Sequence, residues 1–272
     1  MPYELKDFEN NEISFAELNN KSFACAQGEN QESLFVKTFK KLQDNGFIQS
    51  EERIAIHPEK EANPYHPDLI VNEKLVAELK TKASPLFMAL NYGIDPQYAL
   101  TMDLKDSLHY NKLLEQGTDV TIYVWVKWAA KTMQRYSVQN GQKCYNDEVF
   151  EVGQLAGIWK VNFSQLRQFE LDYQVPIHWY KEEFRKPPEY SRDEPEHKAW
   201  FDYLENFEPR LVNPRTNKLK NITSKGYDKD TLYTKGDSSG SYVFDLRNPI
   251  FQRLYWNHKS PKRLCLDIQH YR

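Results

Sequence analysis

The sequence predicts an α/β (α+β) fold in which helices flank a mixed central β-sheet, with a C-terminal extension after this core. An amphipathic helix pattern at residues 31–45 comes before a short strand pattern at 53–57. Two short apolar runs separated by three polar residues then give a hairpin pattern within 67–82. A helix pattern over 97–116 leads into 120–128, where β-branched and aromatic residues dominate. The order helix, strand, hairpin, helix, strand is typical of a mixed unit of this class.

The first helix pattern is amphipathic. Its apolar residues Leu34, Phe35, Phe39 and Leu42 fall on one stripe, with lysines on the opposite side. Gly46 comes shortly after the last of them and is a typical helix stop. The pattern therefore predicts an amphipathic helix that ends before this glycine.

The elements after the strong strand are shorter. Asn140-Gly141 has the residue types of a tight turn, so 132–152 is expected to form a second hairpin. The patterns that follow are a strand at 157–161, a helix near 163–171 and a strand at 176–180. They extend the mixture of short helices and strands seen in the preceding residues.

The composition changes near residue 181, where the chain becomes charged and proline-containing. Ser191 and Glu194 make a capping box for one more helix, which runs through Phe207. We therefore expect a core over 1–180 and an appended C-terminal region over 181–272 that packs on the core.

Charge is distributed unevenly along the chain. Residues 210–272 carry 13 Lys/Arg against 5 Asp/Glu, whereas residues 1–209 carry 23 against 34. A basic segment on an acidic body suits a protein that touches a polyanion with one part only. A solvated basic face would give the same charge, so charge alone does not decide between the two.

Several protein classes are excluded by what the sequence lacks. No stretch approaches the roughly 18 apolar residues of a membrane-spanning helix, and the first residues have no apolar signal core. We therefore expect a cytoplasmic protein with no membrane partner. The three cysteines lie far apart and predict neither a disulfide framework nor a spaced zinc site. Motifs of nucleotide-driven motors and serine hydrolases are also missing.

The hairpin at 67–82 carries the polar residues that indicate chemistry. A loop at 72–74 pairs the two strands so that Asp68 lies opposite Glu78. Because strand side chains alternate with a period of two, Lys80 shares their face. The other face is apolar and consists of Leu69, Val71, Leu75, Ala77 and Leu79.

Opposed carboxylates repel each other, and a cation between them relieves the repulsion. Mg²⁺ fits this place because it prefers oxygen ligands, usually one or two carboxylates with substrate phosphate and water. It polarises a phosphoryl oxygen and lowers the pKa of water. A neighbouring lysine can then orient or deprotonate that water. The chemistry predicted is Mg²⁺-dependent phosphodiester hydrolysis.

Pro67-Asp68, nine residues and then Glu78-Leu79-Lys80 resembles the signature of the PD-(D/E)xK nuclease superfamily. Many restriction, recombination and repair nucleases belong to this superfamily. The resemblance implies a restriction-endonuclease-like core. It also implies that Asp68, Glu78 and the backbone carbonyl of Leu79 hold Mg²⁺, while Lys80 positions the attacking water.

The resemblance extends over roughly residues 28–128. Family members often carry a glutamate in the helix before the first strand, and Gly28-x-x-x-Glu32 is similar to that element. Glu32 is therefore implied as a further catalytic residue, although a glutamate near a helix start is also explained by the helix dipole. One branch of the family has a Gln-x-x-x-Tyr helix after the lysine strand. Here Asp106 precedes Tyr110, so the chain departs from that recombination branch.

Affinity for a duplex comes chiefly from contacts to its phosphates. The polar, lysine-rich stretch within 208–241 is the place where the sequence offers such contacts. The predicted DNA-binding residues are Arg215, Lys218, Lys220, Lys225, Lys229 and Lys235.

We therefore expect a Mg²⁺-dependent DNA endonuclease, with a type II restriction endonuclease acting on double-stranded DNA as a homodimer the leading interpretation. A DNA repair or mobile-element nuclease is the alternative within this class. A non-catalytic nucleic-acid-binding module, whose hairpin carries only an ion pair, is the alternative from another class. His66 is interpreted as a loop histidine or a phosphate contact, and His57-Pro58-Glu59 lacks the cysteine motif that zinc deaminases need.

Overall fold

The computed structural model of the protein describes residues 3–7, 9–13, 31–63, 66–82, 85–86, 89, 92–127, 132–151, 154–172, 175–179, 195, 198, 210–213, 218–221 and 240–259. The α-helices within these ranges are α1 (Gln31–Asp44), α2 (Leu104–Glu115) and α3 (Phe163–Asp172). None of them is long and apolar enough to cross a membrane. A short 3-10 helix covers Pro58–Lys60.

The β-strands of the described residues fall along the whole length of the chain. They are β1 (Tyr3–Lys6), β2 (Glu12–Ile13), β3 (Ile54–Ile56), β4 (Leu69–Val71), β5 (Leu75–Lys82), β6 (Ala99–Asp103), β7 (Thr121–Lys127), β8 (Thr132–Gln139), β9 (Gln142–Glu151), β10 (Gln154–Asn162), β11 (Ile177–Trp179), β12 (Arg210–Asn213), β13 (Lys218–Asn221), β14 (Gly240–Asp245) and β15 (Gln252–Lys259).

The central sheet has six strands in the order β15-β10-β7-β5-β4-β3. Strands β5 and β7 run parallel, and every other neighbouring pair in this sheet is antiparallel. A parallel pair needs a crossover connection, which β6 and α2 supply. Smaller sheets have the orders β2-β1-β8-β9, β11-β14-β6 and β12-β13. The protein is therefore α+β with a mixed central sheet, as the sequence predicts.

The turn residues explain why several elements end where the sequence predicts. Gly46 follows α1 with φ +72°, and Gly117 follows α2 with φ +89°. Glycine adopts this left-handed conformation without the steric cost that other residues meet. Asn140 (φ 51°) and Gly141 (φ 78°) form the tight turn between β8 and β9. Local turn chemistry was therefore a sound guide to these boundaries.

The predicted helix over 97–116 is wrong in its first part. Ala99–Asp103 forms β6, and the helix begins only at Leu104. Strand β6 pairs with β14, and Asp103 accepts a 2.6 Å hydrogen bond from the hydroxyl of Ser241, 138 residues further along the chain. A strand partner so distant in sequence overrides the local helix pattern. Most of the helix predicted through Phe207 lies outside the described residues.

Apolar side chains are buried on both faces of β7. On one face Tyr123 and Trp125 pack against Phe35 of α1 at ring-centroid distances of 5.8 and 5.7 Å. On the other face Ile122 and Val124 join the core formed with α2 and α3. A strand that is covered on both sides needs a nearly continuous apolar run. This explains why 120–128 stands out in the sequence.

Strands β14 and β15 come from the predicted C-terminal region and complete sheets of the predicted core. Strand β15 pairs with β10 at one edge of the central sheet. Strand β14 lies between β11 and β6, and its residues Val243 and Phe244 are buried. The division of the chain at residue 181 stays a prediction.

Candidate active site

The β4–β5 hairpin has the register that the sequence predicts, with Val71 paired with Leu75. Its turn uses two residues with positive φ, Asn72 (52°) and Glu73 (60°). Asparagine tolerates this conformation better than most residues, and its backbone N–H and side-chain oxygen both bond to the backbone of Arg53 beside β3. Leu75 is exposed to 49%, unlike the rest of the predicted apolar face, because it lies at the open turn.

Asp68 and Glu78 meet where the two strands of the hairpin come together. The backbone N–H of Asp68 donates to Glu78 Oε2 at 3.3 Å, and the backbone N–H of Leu79 donates to Asp68 Oδ2 at 3.2 Å. Asp68 is 7% exposed. The Leu79 side chain is buried on the opposite face. The hairpin backbone itself therefore holds both carboxylates in place.

Lys80 lies between carboxylates from two elements. Its Nζ donates to Glu78 Oε1 on β5 and to Asp106 Oδ2 in the first turn of α2, both at 2.8 Å. The ring of Tyr110, one helical turn beyond Asp106, lies 5.6 Å from the same Nζ. Burial opposes the charge of Lys80, but the negative charges of Asp106 and Glu78 raise its pKa well above the ordinary value.

Glu32 joins the hairpin carboxylates from the first turn of α1. Burial, the negative charge of Asp68 and a hydrogen bond shared with Asp68 raise the pKa of Glu32 to about 7. Burial also raises the pKa of Glu78, despite the opposing charge of Lys80. The structure therefore brings Glu32, Asp68, Glu78 and Lys80 together.

Lys60 is a second ammonium at these carboxylates. Its Nζ lies 2.5 Å from Asp68 Oδ1 and donates to the backbone carbonyl of His66 at 3.1 Å. Burial acts against its charge, yet the hydrogen bond and negative charge of Asp68 raise its pKa. Lys60 ends the 3-10 helix that follows β3, and this helix sets the reach of its side chain.

The three carboxylates have the donor type that a hard divalent cation such as Mg²⁺ prefers. Glu32, Asp68 and Glu78 offer only oxygen ligands, which is the set that Mg²⁺ selects. The raised pKa of Glu32 reflects burial together with the negative charge of Asp68. A cation relieves this crowding of negative charge. Lys60 and Lys80 now neutralise part of it through ion pairs.

Sequence reasoning missed the roles of Lys60 and Asp106. A lysine in a polar loop has no sequence pattern that predicts its partner. The contact of Lys60 with Asp68 depends on how the 3-10 helix is placed beside the hairpin. Asp106 gave a partial signal, since it precedes Tyr110 by four residues and so shares one helix face with it. Its contact with Lys80 depends on how α2 packs beside β5.

Most of the predicted DNA-binding residues lie beyond the part of the chain that the structure describes. Lys218 and Lys220 are on β13, which pairs with β12, and their side chains are not described. The remaining predicted residues fall outside the described ranges: Arg215, Lys225, Lys229 and Lys235. Their contact with DNA stays a prediction.

Comparison of the chain with models of protein families, with curated proteins and with solved structures finds no match in any of the three. The chain's own residues therefore carry the functional interpretation.

Proposed function

We propose that the protein is a Mg²⁺-dependent DNA endonuclease with a restriction-endonuclease-like core, most consistent with a type II restriction endonuclease. The observation that carries this proposal is the convergence of Asp68, Glu78 and Lys80 beside a third carboxylate, Glu32. Buried ionisable groups with shifted pKa values and specific charged partners cluster at functional sites.

Glu32, Asp68 and Glu78, with the carbonyl of Leu79, would hold the metal ion. Bound Mg²⁺ supplies positive charge that polarises a phosphoryl oxygen and makes water more acidic. Hydrogen bonds from the hairpin backbone hold the two carboxylates that would bind the ion: the N–H of Leu79 donates to Asp68, and the N–H of Asp68 donates to Glu78. These bonds limit the freedom of both carboxylates.

Lys80 keeps its proton in this arrangement, because its pKa lies well above the ordinary value. It therefore acts by donating hydrogen bonds rather than by removing a proton. It orients the attacking water and stabilises negative charge on the phosphate as the bond to water forms. Asp106 and Glu78 fix its ammonium from two sides at 2.8 Å.

The substrate assignment is supported by charge. Residues 210–272 carry 13 Lys/Arg against 5 Asp/Glu, which favours a polyanionic partner. A stand-alone cutter of both DNA strands would act as a homodimer, so we include a dimer in the proposal. A repair or mobile-element nuclease is the alternative with the same chemistry.

One observation favours a non-catalytic nucleic-acid-binding module instead. Lys60 pairs with Asp68 and Lys80 pairs with Glu78, so two of the acids already have cationic partners. In such a module these ion pairs would only stabilise the hairpin. The two functions differ in whether the protein cleaves DNA when Mg²⁺ is present.

The experiment is to incubate the protein with plasmid and genomic DNA in Mg²⁺ or in EDTA. Discrete bands in Mg²⁺ alone support a restriction enzyme, whereas smearing or nicking supports a less specific nuclease. Binding without cleavage in either buffer supports the module and contradicts the nuclease proposal.

Variants of the hairpin test the assignment of residues. We expect Glu78→Ala and Lys80→Ala each to slow cleavage by about 100-fold or more, while DNA binding measured by gel shift stays largely intact. Glu51→Ala and Lys74→Ala are matched controls, because these side chains are exposed. Unchanged cleavage by both Glu78→Ala and Lys80→Ala would contradict the assignment of these residues to the active site.

A further inference from the structure

Two histidines and a glutamate gather beside the carboxylate site without being part of it. His57, Glu59 and His66 each place a ligand atom within 4.8 Å of the others. The two imidazole rings lie 3.9 Å apart between centroids with 31° between their planes. His57 caps the 3-10 helix at Pro58–Lys60 and His66 precedes Pro67, so the cluster joins the two ends of one loop.

The contacts of His66 direct its second ring nitrogen towards Glu59. Its Nδ1 lies 3.0 Å from the carbonyl oxygen of Pro67, which can only accept, so Nδ1 carries a proton. Its Nε2 lies 3.2 Å from Glu59 Oε2. With Nδ1 donating to Pro67, the Nε2 lone pair and the Glu59 carboxylate face the same point. A metal ion at that point would accept an electron pair from both atoms.

The Nδ1 hydrogen bond also leaves Nε2 in the state that a metal ion needs. Histidine ligands commonly donate their other ring N–H to a backbone carbonyl, which fixes the tautomer and the ring orientation. His66 makes this bond with Pro67. His57 uses its Nδ1 to accept from the backbone N–H of Glu59 at 3.2 Å, and a metal ion would replace that long hydrogen bond.

We propose that His57, Glu59 and His66 bind a divalent transition-metal ion, with Zn²⁺ the ion that the donor set suits best. Imidazole nitrogen favours Zn²⁺ over Mg²⁺, which selects oxygen. Two imidazoles and one carboxylate make a three-ligand set that leaves a fourth position for water or another group. The site is distinct from the oxygen-only set of Glu32, Asp68 and Glu78, and it does not depend on the nuclease proposal.

The metal ion would fix the position of Lys60. Lys60 lies within the loop that the ion closes, and its Nζ contacts both the carbonyl of His66 and the carboxylate of Asp68. The backbone N–H of His57 donates to the Asp68 carbonyl at 2.9 Å, which ties the same loop to the hairpin. The ion would therefore hold Lys60 at the neighbouring carboxylates.

The test is equilibrium dialysis of the metal-free full-length chain against Zn²⁺, with bound metal measured by elemental analysis. We expect one Zn²⁺ per chain with histidine ligation, seen independently as visible d–d absorption of Co²⁺ in the same site. His66→Ala and Glu59→Gln should each weaken binding by more than the roughly 10- to 100-fold that loss of an outer-shell partner causes. Zn²⁺ should also raise the Tm of the unaltered chain.

Two controls separate this site from other sources of binding. Glu61→Gln alters an exposed acid in the same loop and should leave the affinity unchanged. Asp68→Asn alters the carboxylate site and should leave the Zn²⁺ stoichiometry at one. Glu59 is 71% exposed at its side chain, so its variant should fold normally. Failure of the unaltered chain to bind Zn²⁺ would overturn the proposal. So would Zn²⁺ binding by the His66→Ala and Glu59→Gln variants with the same affinity as the unaltered chain.

Discussion

At the residue scale, Lys80 depends on a partner from outside the hairpin. Asp106 supplies one of its two carboxylate contacts at 2.8 Å, and its negative charge contributes most to raising the pKa of Lys80 against the effect of burial. Glu78 supplies the other contact. Asp106 is thus a positioning residue for the ammonium that the proposed chemistry uses.

We expect Asp106→Asn to lower kcat for DNA cleavage by about 100-fold, since a misplacement of roughly 1 Å at a reacting group has that effect. KM should change little, because Asp106 is assigned no contact with DNA. Steady-state kinetics on plasmid DNA measures both constants, and Asp44→Asn is the matched control because the Asp44 side chain at the end of α1 is 62% exposed. An unchanged kcat, or a rise in KM alone, would speak against the positioning role.

Residues differ in how far the sequence could place them. Asp68 and Glu78 could be placed opposite each other because strand periodicity and a short turn leave little freedom. Glu32 needed the family resemblance as well, since a glutamate at a helix start has an ordinary electrostatic explanation. Lys60 and Asp106 could not be assigned, because their contacts depend on the packing of a 3-10 helix and of α2.

At the scale of elements, α2 and α3 are joined by a buried acid. Glu170 on α3 accepts a 2.8 Å hydrogen bond from the hydroxyl of Ser107 on α2 and pairs with Arg167. Its side chain is 1% exposed. Burial raises the pKa of Glu170 to about 7, although Arg167 and Ser107 act in the opposite direction.

This acid should make stability fall as pH rises. In the unfolded chain Glu170 titrates near its ordinary value of 4.5, whereas in the folded chain it titrates at about 7. The folded state therefore holds the proton more tightly, and its advantage is full below the unfolded pKa and lost as pH rises to about 7.

We expect Glu170→Gln to remove this dependence. The free energy of unfolding of the variant, relative to the unaltered chain, should rise between pH 5 and pH 7 by up to about 1.4 kcal/mol per pH unit and stay level above pH 7. Urea denaturation at a series of pH values measures it. If the free energies of unfolding of the variant and the unaltered chain differ by the same amount from pH 5 to pH 7, the pKa of Glu170 is not raised by folding.

Elements were predictable where local chemistry decides them. The turns at Gly46 and Asn140-Gly141 and the doubly buried β7 follow from residue types alone. Strand β6 was missed because its only strand neighbour in the described sheet, β14, comes from far along the chain. Long-range pairing of this kind has no local signal.

At the scale of the whole molecule, the end of the described chain is structurally part of the core. Tyr242, Phe244 and Phe251 are buried in the cluster that also contains α2 and α3. Strand β15 covers the outer edge of β10. The composition change near residue 181 therefore does not mark the point at which core contacts stop.

We expect the fragment 1–180 to aggregate or to lack cooperative thermal unfolding. It would expose the edge of β10 and leave apolar faces of α2 and α3 uncovered. The fragment 1–259 keeps β14 and β15 and should unfold cooperatively. Circular dichroism melts of the two fragments give the comparison, and a cooperative transition in the shorter one would contradict this expectation.

The convergence of Asp68, Glu78 and Lys80 is tested most directly by conversion of supercoiled plasmid to nicked and linear forms. We expect the purified protein to convert it in Mg²⁺ and not in EDTA, and Lys80→Ala to leave it supercoiled while still shifting it in a binding gel. Plasmid that stays intact with the unaltered protein in Mg²⁺, or that is cut equally well by Lys80→Ala, would contradict the assignment of this cluster as a nuclease site.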